Sequence, residues 1–494
     1  MSTETKVVTQ DRWHSVPMPK QEAQKRVCNF EEVALGYTEE QALKEASRCL
    51  ICPNPQCSKG CPVGINVPAF IKLIKEKKYD QALKKVKERS SFPAISCRIC
   101  PQEEQCQKNC VIGRKGDPVE IGRLERFISD LEDQKGYAYL RPVPPTGKKV
   151  AIIGAGPAGL TVAADLAKFG HEVVIFEALS IAGGILAYGI PEFRLPKSIV
   201  KNEIKRIQEL GGVKIYTGIQ VAKLSAIDAL ITEGFDAVFI GAGAGMPQAL
   251  GIPGENLHGI FPANDFLMYV NLQKCYQCPE YDKPIKVGKK AVIIGGGNVA
   301  IDAARTALRL GAEHVSIFYR RSREEMPARK EEIENAQEEG IEFKYLVAPK
   351  RFTDDGQGNV KAMEYIQMKL GEPDASGRRK PIPIEGSEAT ADVDFVAVAI
   401  GRTPNTIVQS VAKGIGVKNG GIIVTENETA QTSREGVFAG GDIATGEATV
   451  ISAMGSGRKA ARYIDEYLMK ACRYPQIIVT KETSNQPQAA AVQK

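Results

Sequence analysis

GKKVAIIGAGPAGL (147–160) and GKKAVIIGGGNVAI (288–301) share seven of fourteen positions and begin 141 residues apart in a chain of 494. In each, a short β-branched run precedes a glycine-rich turn and an Ala-rich segment succeeds it. A glycine turn alone is a weak signal. Between a strand and a helix it has a mechanism: the glycines permit a tight turn and let a pyrophosphate reach the helix N-terminus. Two nucleotide-binding folds in tandem are the simplest cause of the repeat. The loops are formed by Gly154, Gly156, Pro157, Ala158 and Gly159 in the first, and by Gly295, Gly297, Asn298 and Val299 in the second.

Downstream of the two turns the sequences diverge. HEVVIFEAL (171–179) carries Glu177, 23 residues after Gly154, where a carboxylate accepts hydrogen bonds from ribose hydroxyls. That suits FAD or NAD. In EHVSIFYRRSR (313–323) Arg320 and Arg321 stand instead of an acid, and a guanidinium pairs with a 2′-phosphate that a carboxylate would repel. That suits NADP(H), the alternative being an ordinary solvated loop. VFAGGDIA (437–444) ends a short apolar run in Gly441-Asp442, placed to meet a polyhydroxyl chain or, equally, to cap a helix.

Nine of the twelve cysteines fall between Cys28 and Cys110. RCLICPNPQCSKGCP (48–62) spaces four as C-x2-C-x4-C-x3-C-P, and CRICPQEEQCQKNC (97–110) adds Cys97, Cys100, Cys106 and Cys110. Disulfides, zinc and iron–sulfur clusters compete for them. The N-terminus MSTETKVVTQDRW is polar, without the apolar core of an export signal, so reduced thiols and a cytoplasmic location are expected. Iron–sulfur clusters are held mainly by thiolates, often with Pro after the closing Cys, whereas zinc needs only four ligands per site. Clusters are favoured, with zinc as the alternative. Cys275 and Cys278 form a C-x2-C before the second loop that could be a redox dithiol; the Cys-Asp-Gly continuation of thioredoxin reductases is missing, so a structural pair is expected. The four histidines make no motif.

From GAGPAG, Glu177, IGGGNVA, AVAIGRTPN (397–405) and GGD in that order, the chain resembles the FAD- and pyridine-nucleotide-dependent disulfide reductases. With the cysteine runs, GGILAYGIPEFRLPK (183–197), YRRSREEMPAR (319–329) and AGGDIATGEATVISAMGSGRKAA added, it resembles the small chain of NADPH-dependent glutamate synthase. Its relatives include the large subunit of NADH-dependent reduced ferredoxin:NADP oxidoreductase. The resemblance implies that Gly183, Gly184, Gly441, Asp442 and Thr449 join the first loop and Glu177 around FAD. It implies two 4Fe–4S clusters, one on Cys49, Cys52, Cys57 and Cys110, the other on Cys61, Cys100, Cys106 and Glu125. Glu125 lies in IGRLERF (121–127), and its alternative role is a salt bridge to a nearby Arg. Where the family has a further cysteine this chain has Ser96, and Cys97 is expected to be spare. Hydride would pass between nicotinamide C4 and flavin N5, so no side chain is obligatory as acid or base. Partners implied are a second redox subunit, either a ferredoxin-NADP-reductase-like flavoprotein in an electron-bifurcating complex or a glutamate synthase large subunit, and ferredoxin. A relay and docking module within a larger assembly is the reading from another class.

The expected architecture is α/β with an N-terminal mostly α iron–sulfur domain (1–139), a Pro-rich linker (140–149), and two Rossmann-like domains of the disulfide-reductase type. FAD binding falls to 150–286 and 393–472, NADP(H) binding to 287–392, and 473–494 reads as a mobile tail. With 43% hydrophobic residues the chain buries real cores, and no apolar stretch is long enough to span a membrane. A net charge of +6, widely spread, gives no case for nucleic acid. Between Lys72 and Arg89 eight Lys or Arg face Glu76, Asp80 and Glu88. A solvated helix face and an electrostatic surface for an acidic ferredoxin both fit that run.

Overall fold

The computed structural model describes residues 12–135, 139–140, 143–221, 224–277, 285–374, 377–403, 414–418, 420–426, 429–446, 449–471 and 479–480. The N-terminal region is helical. Helix Glu39–Arg48 opens on a capping box, in which the Thr38 hydroxyl accepts from Gln41 N and the Gln41 side chain accepts from Thr38 N. The basic run between Lys72 and Arg89 falls on two helices, Val67–Lys75 and Tyr79–Lys87, which turn at Lys77 with φ 57°. The turn lets Phe70, Ile71 and Ile74 on one helix and Leu83 and Val86 on the other reach the same core. Helices Pro93–Ile99 and Ile121–Lys135 complete the layer.

Beyond the helical layer stand two five-stranded parallel sheets. The first runs Val437–Ala439, Ala237–Ile240, Lys149–Ile153, Glu172–Phe176, Val213–Tyr216; the second runs Glu342–Tyr345, His314–Tyr319, Lys290–Ile294, Phe395–Val398, Ile260–Pro262. Each glycine loop leaves the C-terminal end of its sheet's middle strand, where nucleotides bind in such folds. An antiparallel layer, Val347–Asp354, Val360–Pro373, Arg379–Pro383 and Ala389–Asp392, packs on the second sheet through Phe318, Phe352 and Met363.

The domain limits move. Strands Ile260–Pro262 and Phe395–Val398 belong to the second sheet, so limits drawn at 286/287 and 392/393 cut that unit short at both ends. Neither strand carries a glycine loop to mark it; Phe395–Val398 is assigned by parallel pairing with Ala291–Ile294, and Ile260–Pro262 by parallel pairing with Val396–Val398. Lys149 opens the first strand, so it is not part of the linker. Val479–Thr480 pairs antiparallel with Tyr139–Leu140 inside the segment expected to be a tail. One continuous apolar core joins the helical region to the first sheet, from Phe70 and Leu124 through Ile152 to Met454. Among the described residues no helix is long and apolar enough to cross a membrane.

Candidate functional site

At the first loop Gly154 has φ 102°, and a Cβ there would stand 2.6 Å from Gly241 O, so only glycine fits. Gly156 caps helix Pro157–Phe169, with Pro157 in the first turn, and nothing lies within 4 Å of where its Cβ would be. That open face meets a helix N-terminus. Glu177, buried at the end of its strand, accepts from Ala155 N at 2.7 Å and Leu179 N at 2.8 Å, which holds its carboxylate on the loop. A Cβ on Gly184 would stand 2.9 Å from Gly156 Cα, and Gly183 N donates to Ala155 O. From the other side a Cβ on Gly441 would stand 2.9 Å from that of Ala158, beside which Asp442 opens the short helix Asp442–Thr445. Thr449 caps helix Val450–Met469 by accepting from Ser452 N, and Gly457 of that helix lies against Ala158 O. Glu177, Gly183, Gly184, Gly441 and Gly457 thus pack on this loop and the start of its helix, and Thr449 stands at the N-terminal end of the helix that carries Gly457.

The second loop repeats the device. Gly295 has φ 142°, and a Cβ would collide with Ala399 O; Gly297 caps helix Asn298–Arg309 and faces open space. Asn298 Oδ1 accepts from Arg329 N at 3.0 Å, and Val299 is half-buried against the unit's core. The two arginines part company. Arg320 is exposed, beyond Tyr319, whose ring packs against Gly296. Arg321 is buried, its Nη2 2.5 Å from Asp374 Oδ2 and its Nε donating to Arg379 O. Arg321 is therefore spent on the antiparallel layer, and the expectation that both arginines greet a 2′-phosphate narrows to Arg320.

The cysteines gather in two places. Cys49, Cys52, Cys57 and Cys110 line one hollow whose other walls include Val67, Ile71 and Ile121. Burial raises the Cys49 thiol and pushes Cys57 up to about 11, with Cys110 adding to both. Cys61, Cys100, Cys106 and Glu125 form the other group. Burial raises all three of its thiols, and Glu125 adds to each rise. Glu125 itself is pushed up to about 7 by burial, opposed by a hydrogen bond from Ser96 Oγ at 2.9 Å. The salt-bridge alternative for Glu125 finds no arginine among the described residues; the serine that departs from the family pattern holds the carboxyl instead. Burial disfavours the thiolate at Cys49, Cys57, Cys61, Cys100 and Cys106, with Lys75 opposing at Cys49 and Arg329 at Cys100, and a metal-bound cysteine is a thiolate, so a soft metal centre held here would have to displace those protons. Among the described residues no disulfide joins two cysteines, and no three His, Cys, Asp or Glu side chains converge tightly enough for a single metal ion. The four irons of a cubane occupy separate corners and ask for wider spacing than zinc does.

The second group lies close to the first loop's surroundings: a Cβ on Gly455, in helix Val450–Met469, would stand 2.8 Å from the carbonyl of Pro62. Cys97 is buried and donates to Ala94 O; burial raises its thiol and Glu125 adds to the rise, with Arg98 opposing. Cys275 is buried in the second unit's core, while Cys278 lies outside the described residues. In the basic run Lys77, Lys78, Lys85 and Lys87 pair with Glu39, Glu76, Glu88 and Glu132, which spends much of the charge expected to face a ferredoxin. Sequence reasoning missed the side chains that join the units: Arg194 to Asp302 at 2.6 Å, and Arg26 to Glu339 at 2.7 Å, with Arg305 and Arg309 on the same carboxylate. No local pattern marks such partners.

Residues 148–457 match the model of the pyridine nucleotide-disulphide oxidoreductases, and residues 26–137 match dihydropyrimidine dehydrogenase domain II, 4Fe-4S cluster. The small chain of NADPH glutamate synthase from Escherichia coli strain K12 is 36% identical over 92% of this chain and 97% of its own. The beta subunit of NADP(+)-dependent formate dehydrogenase from Moorella thermoacetica is 39% identical over 85% of this chain, which spans 61% of that subunit's length. FprA from Mycobacterium tuberculosis, solved in complex with NADPH, shares the fold of 66% of this chain and 85% of its own, at a TM-score of 0.54 and 19% identity. The chain belongs to the glutamate synthase small-chain family, NADPH-dependent oxidoreductases that join a 4Fe–4S domain to a flavin- and pyridine-nucleotide-binding pair.

Proposed function

We propose that this subunit carries electrons between NADP(H) at the second loop and a second redox subunit, through FAD at the first loop and two 4Fe–4S clusters. The supporting observation is the division of eight candidate ligands into Cys49, Cys52, Cys57, Cys110 and Cys61, Cys100, Cys106, Glu125. Bound flavin supplies the exchange between two-electron hydride chemistry and the one-electron chemistry of clusters. The residues supply position. Gly154, Gly156, Pro157, Ala158 and Gly159 admit the flavin pyrophosphate, Glu177 the ribose, and Gly183, Gly184, Gly441, Asp442 and Thr449 close around the remainder. Gly295, Gly297, Asn298, Val299 and Arg320 orient NADP(H), Arg320 favouring the 2′-phosphate by charge.

Pro62 against Gly455 sets the second cysteine group beside the flavin-side helix, and the electrostatic contact of Cys57 with Cys106 sets the first group next in line. Leu50 and Val111, both exposed, flank the first group at the surface, which suits an exit toward a partner. Between settings, the glutamate synthase small chain is supported by the near-complete span of that relative. The bifurcating complex with NAD(H) and ferredoxin rests on the sequence resemblance.

Anaerobically purified protein should hold about eight iron and eight acid-labile sulfides per chain, as two cubanes require. Cys110→Ser and Cys100→Ser should each remove a different half. Tightly bound zinc in place of iron, or a single set of signals, would overturn the reading.

A further inference from the structure

Arg329 joins two regions that the proposed function keeps apart. Its backbone N–H donates to Asn298 Oδ1 at the start of the second loop's helix. Its guanidinium, 8% exposed with its residue, donates to Arg98 O and Gln102 Oε1, each at 3.1 Å. Gln102 in turn donates from its side chain to Cys97 O and from its backbone to Cys100 O. Lys330 N holds the same turn through Glu103 Oε1. Thus the turn after Cys100 is gripped by residues 329 and 330 of the other unit.

The grip is not packed solid. A polar cavity of ≈ 180 Å³ borders Cys97, Gln102, Arg329 and Glu331, so these side chains have room to exchange partners. Arg329 Nε has no hydrogen bond and stands 3.5 Å from a Glu103 carboxylate oxygen, while its Nη2 also donates to Glu331 Oε2 at 3.2 Å. A buried donor left unmade is costly, and a small shift of the fork toward Glu103 would satisfy it. An anion arriving at the loop draws on Asn298, the residue that holds Arg329 in place. A guanidinium displaced near Cys100 alters the charge felt by whatever that thiolate binds, and the charges and hydrogen bonds around a cluster tune its potential.

We propose that Arg329 is a positioning residue that couples occupancy of the second nucleotide loop to the redox potential of the cluster on Cys61, Cys100, Cys106 and Glu125. The coupling rests on the proposed assignment of that cluster. The test is an EPR-monitored redox titration of the holoenzyme with and without 2′-phospho-ADP-ribose, which carries the phosphates of NADP(H) but no nicotinamide. In the wild type the analogue shifts the midpoint of one cluster and leaves the other in place. Arg329→Met abolishes the shift while analogue affinity changes by less than about tenfold, the usual span of one lost neutral hydrogen bond. Arg329→Lys keeps the charge without the two-acceptor fork and also loses the shift. Gln102→Leu, which cuts the link on the cluster side, behaves the same way should the arginine variants fold poorly. An unchanged shift in Arg329→Met or Gln102→Leu overturns the coupling, as does a wild type with eight irons whose clusters ignore the bound analogue. A wild type with only four irons fails earlier, on the cluster assignment, and the iron count tells the two failures apart.

Discussion

The two nucleotide loops share a backbone and differ in their surroundings. Gly154 and Gly295 solve the same crowding beneath the turn, and Gly156 and Gly297 leave the same open face above it. Around the first loop every residue of helix Pro157–Phe169 is buried, Glu177 is locked by two backbone donors, and segments from 183, 441 and 457 press in. Around the second loop Arg320 projects into solvent, and Asn298 is held by a single bond from Arg329. One sequence device has thus been built into a sealed seat and an open one. A sealed seat suits a group inserted once; an open one suits a nucleotide that comes and goes.

The contrast breaks most severely at Gly154. Gly154→Val combines a positive φ with a Cβ on Gly241 O, and nothing around the sealed loop can yield. Loss of all bound flavin is expected, read as the missing 450 nm band, about where oxidised flavins absorb, in protein purified beside the wild type. A yellow variant would show the seat to be less tight than its packing. At the open loop the contrast sharpens to one residue. Arg320→Ala should weaken NADPH by about one to two decades with little change for NADH, the worth of a charge-assisted contact of roughly 1.5 to 3 kcal/mol. Arg321→Ala should leave that preference alone and lower thermal stability, since its partners are Asp374 and the Arg379 carbonyl. Equal loss of discrimination in both would return the 2′-phosphate to the pair.

The smallest effect concerns the seal between the helical layer and the first unit. Glu203 on helix Lys197–Glu209 is pushed up to about 7 by burial, with Arg206 and Lys87 opposing. The folded chain then keeps a proton that the unfolded chain releases near pH 4.5, so Glu203 stabilises most at low pH, and that stability drains away as pH rises through about 7. Between pH 5.5 and 7, Glu203→Gln should flatten the fall in unfolding free energy by up to about 1.4 kcal/mol per pH unit. Parallel curves for both proteins would mean the carboxyl is ionised in the fold.

The loops, their order and the two cysteine runs were legible in the sequence because each is local. A glycine turn between strand and helix needs only its neighbours, and a thiol spacing declares its chemistry within a dozen residues. What only the tertiary structure decided depends on partners far along the chain. Strand Phe395–Val398 belongs to the second sheet through Ala291–Ile294, about a hundred residues earlier. Arg321, beside Arg320 and chemically identical to it, is buried and paired with Asp374, while Arg320 stays exposed. Ser96 orients Glu125 from 29 residues away, and Arg329 reaches Gln102 across 227. Hydrogen bonds and ion pairs act over a few ångströms of space and leave no periodicity in the chain, so a pattern can nominate a side chain while only the fold determines what it touches.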